Sequence, residues 1–112
     1  MLDTDAPVRL RAIASTPEAM ARLVASFLEN GASLVAQLTE AASIGDLDVL
    51  RRHAHTLKSN AASFGATDLA ELCGQLEGQA RAVVVPDATV LAEGITAAFA
   101  RTREVLVQLV AH

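Results

Sequence analysis

The chain has 112 residues and a formal net charge of −4, with 52% of its residues apolar, three Phe and one Cys. That length fits one small domain with a single core. The acidic balance excludes a general nucleic-acid binder, which needs a basic face, and a lone Cys73 excludes both an intramolecular disulfide and a Cys-rich metal site.

Ala, Leu and Val dominate the apolar residues, a composition that favours helices. No stretch has the roughly eighteen uninterrupted apolar residues of a membrane span. Asp3 and Asp5 leave no room for the apolar segment of a signal peptide, so a soluble cytoplasmic domain is expected.

In chain order, residues 1–5 are polar and are expected to fray. Val8, Leu10 and Ile13 suit a short helix that Ser15-Thr16-Pro17 stops. Thr16 as N-cap, Pro17 as first helical residue and Glu18 in the first turn start the next one. Its apolar positions Met20, Leu23, Val24, Phe27, Leu28, Leu34, Val35, Leu38 and Ala42 keep helical spacing to about Ser43. Gly31 lies inside this run, where glycine costs roughly 1 kcal/mol against alanine. Either the helix bends there or a neighbour packs close; one long helix is the expectation, with a break at Asn30-Gly31 as the alternative.

Gly45 is then expected as a C-terminal cap and Asp46 as the next N-cap. So short a connection makes the two helices antiparallel. The third helix runs from about Asp46 to Phe64, with Leu47, Leu50, Ala54, Leu57, Ala61 and Phe64 as its stripe. Gly65 ends it by supplying left-handed backbone. Thr67 or Asp68 is expected to cap the fourth helix, Asp68 and Glu71 having the spacing of a capping box. Leu69, Leu72, Cys73, Leu76 and Ala80 form its stripe, with Cys73 as a buried small hydrophobe. Val83-Val84-Val85 has no second strand to pair with and is expected to anchor a linker. Pro86 and Asp87 open a last helix with the stripe Leu91, Ile95, Phe99, Thr102, Leu106 and Leu109. Four long amphipathic helices with short connections bury their apolar faces together as an all-α, antiparallel up-down four-helix bundle, with the short N-terminal helix as an addition.

Within the third helix, His55 lies beside the apolar stripe. Arg51 is one turn behind it on the same face, and Lys58, Ser59 and Ala62 lie ahead. An imidazole ringed by cations and small side chains is set out for a partner to approach. His53 points to another side of the helix, and a histidine pair at i, i+2 does not converge on a metal.

Ala54-His55-Thr56-Leu57-Lys58-Ser59-Asn60, followed by Phe64-Gly65-Ala66, Leu69 and Leu72-Cys73-Gly74-Gln75-Leu76-Glu77, resembles the signature of histidine-containing phosphotransfer (HPt) domains, the carriers of multistep phosphorelays. Ser59 stands where the family most often has glycine and is still small enough for close approach. The resemblance implies a four-helix bundle with a short extra N-terminal helix and a phosphoryl group carried on His55, taken from one receiver-domain aspartate and passed to another. It also implies that the receivers, or a hybrid sensor histidine kinase bearing one, bring the Mg²⁺ and most of the catalytic apparatus. Glu77 and Arg81 occupy positions where family members often carry polar side chains near the imidazole.

The chemistry agrees. Near neutral pH an imidazole, with an ordinary pKa of about 6.5, keeps a free lone pair on one ring nitrogen. Phosphoryl transfer depends mainly on positioning and charge, which Lys58 is placed to supply. The chain has no Gly-rich phosphate loop and no paired acidic cluster, so it is not expected to use ATP alone or to carry a metal or cofactor of its own. Arg51 and Arg52 would attract the acidic pocket of a receiver, with Ser59 and Ala62 giving it room, over the exposed faces of the second and third helices. A monomer is expected, since all four apolar faces can be buried within one chain. The competing readings are a non-phosphorylated helical adaptor and a sensor-kinase dimerisation domain; the latter needs an acidic residue after the histidine, where this chain has Thr56.

Overall fold

The computed structural model describes residues 2, 6–84 and 88–111. The expected entry at Pro86-Asp87, Val85 and most of the expected frayed N-terminus lie outside these residues. Five helices follow one another: α1 Ala6–Ile13, α2 Pro17–Ile44, α3 Leu47–Ser63, α4 Thr67–Arg81 and α5 Ala88–Ala111. Helix α2, with 28 residues, spans about 42 Å at the helical rise, and the molecule measures 43 × 21 × 18 Å. Its length is therefore the length of α2.

The long helices form a ring in which α2 packs on α3 and α5, and α4 packs on the same two. The result is the antiparallel four-helix bundle, with α3 and α5 diagonal to each other. Leu38, Leu50, Leu57, Leu69, Leu76, Ile95 and Leu106 are fully buried at its centre. Leu10 of α1, and Ala14 just past its end, join the same core.

The expected start signals hold. Thr16 Oγ1 accepts the Ala19 N–H at 3.1 Å, and Asp46 Oδ1 accepts the Val49 N–H at 3.2 Å. Gly31 leaves α2 unbroken, because a Cβ there would run into the edge of the Phe99 ring. Phe27 links that ring to Phe64, with ring centroids 6.0 and 4.4 Å away respectively. The absent side chain thus makes room for the three-phenylalanine cluster.

Three expectations are corrected. Leu2 does not fray: it forms an isolated antiparallel bridge with Ala66 and packs on the core, where the α3–α4 turn offers it an apolar seat. The fourth helix is entered from Ala66 with no side-chain cap, so neither Thr67 nor Asp68 caps it. Ala66 is wholly buried beneath that bridge, which leaves room for a methyl group and no polar cap. Val83 and Val84 are exposed and do not anchor the linker.

Helices α2, α3 and α4 end in one kind of turn, in which an N–H two or three residues beyond the helical end reaches back five residues: Asp46 to Ala41, Ala66 to Ala61, and Val84 to Gln79. The turn needs one left-handed residue. Gly45 and Gly65 supply it at φ 72° and 71°, and Val83 supplies it at φ 58°. A β-branched residue there is strained by roughly 1–2 kcal/mol. Val83→Gly is therefore expected to stabilise the protein by about 1 kcal/mol, after the greater entropy of glycine in the unfolded chain is offset. Urea denaturation checks this through a raised midpoint at unchanged slope.

Candidate functional site

Helix α3 turns Leu50, Ala54, Leu57 and Ala61 into the core. Their angular position on the helix puts Lys58 on the side facing α4 and His55 further out on the same flank. His53, on the other side, lines a cleft with Gln37, Ala41 and Val49, next to α2. The imidazole itself leans over α4.

What it meets there is Glu77. Helix α4 buries Leu69, Cys73, Leu76 and Ala80, and Glu77 lies one position beyond Leu76, at the seam with α3. Its side chain is only 6% exposed. A carboxylate taken out of water must be paired, and three donors converge on this one. His55 Nδ1 lies 2.7 Å from Oε2, Arg81 Nη2 donates to the same oxygen at 2.9 Å, and Lys58 Nζ donates to Oε1. The Lys58 hydrogen bond holds the Glu77 carboxyl below its ordinary pKa, with His55 adding to the effect and burial opposing it.

An ionised carboxylate only accepts, so His55 Nδ1 carries the proton of this hydrogen bond. Nε2 then keeps the lone pair, on a side chain that is 61% exposed. One buried charge thus fixes the tautomer and the ring orientation, and leaves the nitrogen with the free lone pair on the side of the ring away from Glu77. Lys58 was singled out as a source of charge one turn from His55; it stands there already engaged. Its aliphatic stem passes beside Gly74, where a Cβ would be in ordinary contact with Lys58 Cδ at 3.5 Å.

Ser59 and Ala62 are exposed beyond His55, as close approach requires. Arg51 and Arg52 are at the surface too, but both are held by a residue that the sequence reading passed over. Arg51 Nη2 donates to Asp48 Oδ1 and Arg52 Nε to Asp48 Oδ2, each at 3.0 Å. The two guanidiniums hold the Asp48 carboxyl below the ordinary range. Its i, i+3 and i, i+4 spacing was the available signal. Cys73 is buried, and burial pushes its thiol up to about 12, which suits a core residue and not a reactive one.

Because the folded pKa of Glu77 is depressed, its stabilising contribution is complete above the unfolded value near 4.5 and is lost as pH falls through the lower folded value. Stability is thus expected to decline below the ordinary carboxylate range in the wild type and to decline less steeply in Glu77→Gln. Urea midpoints at neutral pH and across the acid range measure the difference.

The chain matches known proteins where these features would lead one to look. A family model described as Hpt domain matches residues 22–105. The crystal structure of histidine-containing phosphotransfer protein B (HptB) from Pseudomonas aeruginosa PAO1 superposes with a TM-score of 0.90 at 28% identity, over 98% of this chain and 94% of that one. No curated protein matches the sequence. Hpt domains are phosphotransfer carriers that work with receiver domains in phosphorelays, and this chain belongs to the Hpt family, with a role in phosphorelay histidine phosphotransfer.

Proposed function

We propose that His55 is the residue that carries the phosphoryl group, through Nε2, between aspartates of two receiver domains. The observation that carries this reading is the 2.7 Å contact from Nδ1 to Glu77 Oε2 behind a ring that is 61% exposed. The Nε2 lone pair attacks the phosphorus of a receiver's aspartyl phosphate. The bond from phosphorus to the aspartate oxygen breaks, and its electron pair leaves with the carboxylate. Nε2 has no proton to lose, and the cationic ring that results keeps its Nδ1 proton against Glu77, whose negative charge stabilises it. Transfer to the second receiver is the reverse of this step.

Lys58 supplies positive charge to the phosphoryl oxygens. At about 4 Å that is worth about 1 kcal/mol in water and roughly 4 at a partly shielded interface, enough to tune transfer but not to decide whether it occurs. The receiver brings the Mg²⁺, and the chain acts as a cytoplasmic monomer without ATP-dependent autokinase activity. Docking is transient, with Ser59 and Ala62 allowing approach and the arginines of α3 drawing in the acidic pocket.

Incubation with a phosphorylated receiver is expected to give acid-labile, base-stable label on the wild type, none on His55→Gln, and transfer slowed about tenfold in Lys58→Ala, which corresponds to about 1.4 kcal/mol. ATP alone is expected to give no label. Label retained by His55→Gln would overturn the assignment.

A further inference from the structure

Four of the nine Lys and Arg residues surround His55, and each is paired: Lys58 and Arg81 with Glu77, Arg51 and Arg52 with Asp48. These four cations against two carboxylates make a locally positive flank in a chain of net charge −4. The two carboxylates differ in kind. Glu77 is buried and holds the imidazole, whereas the Asp48 side chain is 66% exposed and touches no part of it. Asp48 takes one guanidinium on each oxygen in the first turn of α3, so both Arg51 and Arg52 are drawn back along the helix, away from His55, which follows them.

We propose that Asp48 restrains the capture of the receiver: it occupies Arg51 and Arg52 in the free protein and repels the carboxylates of the incoming acidic pocket, setting the rate of encounter. This rests on the phosphoryl-carrier reading and adds a specificity-determining residue to it. Exposed ion pairs of this type contribute little to stability and exchange readily, so the pocket's own carboxylates displace Asp48 on contact. A receiver with a more acidic rim gains more from the exchange than a less acidic one, which makes Asp48 a filter for charge among partners. Asp48 also lies in the first turn of α3, where a negative charge suits the helix dipole. A purely helical role predicts an effect on stability and none on encounter.

The experiment measures the second-order rate of phosphoryl transfer to His55 from a purified, phosphorylated receiver domain that labels the wild type, as a function of salt. Asp48→Asn is expected to raise this rate roughly threefold at low ionic strength, with the gain vanishing at high salt. Glu104→Gln changes the net charge equally but lies exposed on α5, across the bundle from α3, and is expected to leave the rate unchanged. A rate for Asp48→Asn that is unchanged, slower, or matched by Glu104→Gln would overturn the proposal while normal labelling of His55 left the carrier reading standing. Absence of label on wild-type His55 would instead strike the carrier reading itself.

Discussion

A single buried carboxylate organises this protein's working face. Glu77 is sheltered between α3 and α4, and it is tolerable there only because an imidazole, an ammonium and a guanidinium all reach it. Each of those partners is exposed or half-exposed at its other end. The charge that would be a liability in a core is converted into an orienting device, with its donors arranged between it and solvent. The chemistry of the site then follows from hydrogen-bond inventory alone: the carboxylate cannot donate, so the near ring nitrogen must, and the far one is left with its lone pair.

The bundle serves that seam. Leu50, Ala54, Leu57 and Ala61 of α3 and Leu69, Cys73, Leu76 and Ala80 of α4 fix the rotation of both helices about their axes. A rotation by one residue in either would carry His55 or Glu77 about 100° away from the other. The turn between them is tied at Gly65 and covered by Leu2. The phenylalanine cluster that Gly31 admits braces α2 against both α3 and α5.

Much of this was legible in the sequence, for definable reasons. Helix periodicity is carried by many residues at once, so the four stripes, the Thr16 and Asp46 caps and the left-handed glycines could be read before any coordinates. The motif around His55 and Lys58 was legible through family resemblance, and its exposed position through helical geometry. What periodicity does not encode is which neighbour a helix flank faces. By periodicity Glu77 reads only as the polar residue after Leu76; the family resemblance set it and Arg81 near the imidazole, but nothing along the chain says that it is buried and closes on His55. Asp48 was within reach of spacing rules but drew no attention beside two arginines. Val83 is the opposite case: three consecutive valines give no hint of a left-handed turn that glycine normally fills.

The central claim is that Glu77 fixes the tautomer of His55, and the most direct test is a long-range ¹H–¹⁵N correlation spectrum of the imidazole at about pH 8.5, where an ordinary imidazole is neutral. The account predicts a pyrrole-type, protonated Nδ1 and a pyridine-type Nε2 in the wild type, with Glu77→Ala shifting the ring toward the other tautomer. A protonated Nε2 in the wild type, or a spectrum indifferent to the loss of Glu77, would contradict it.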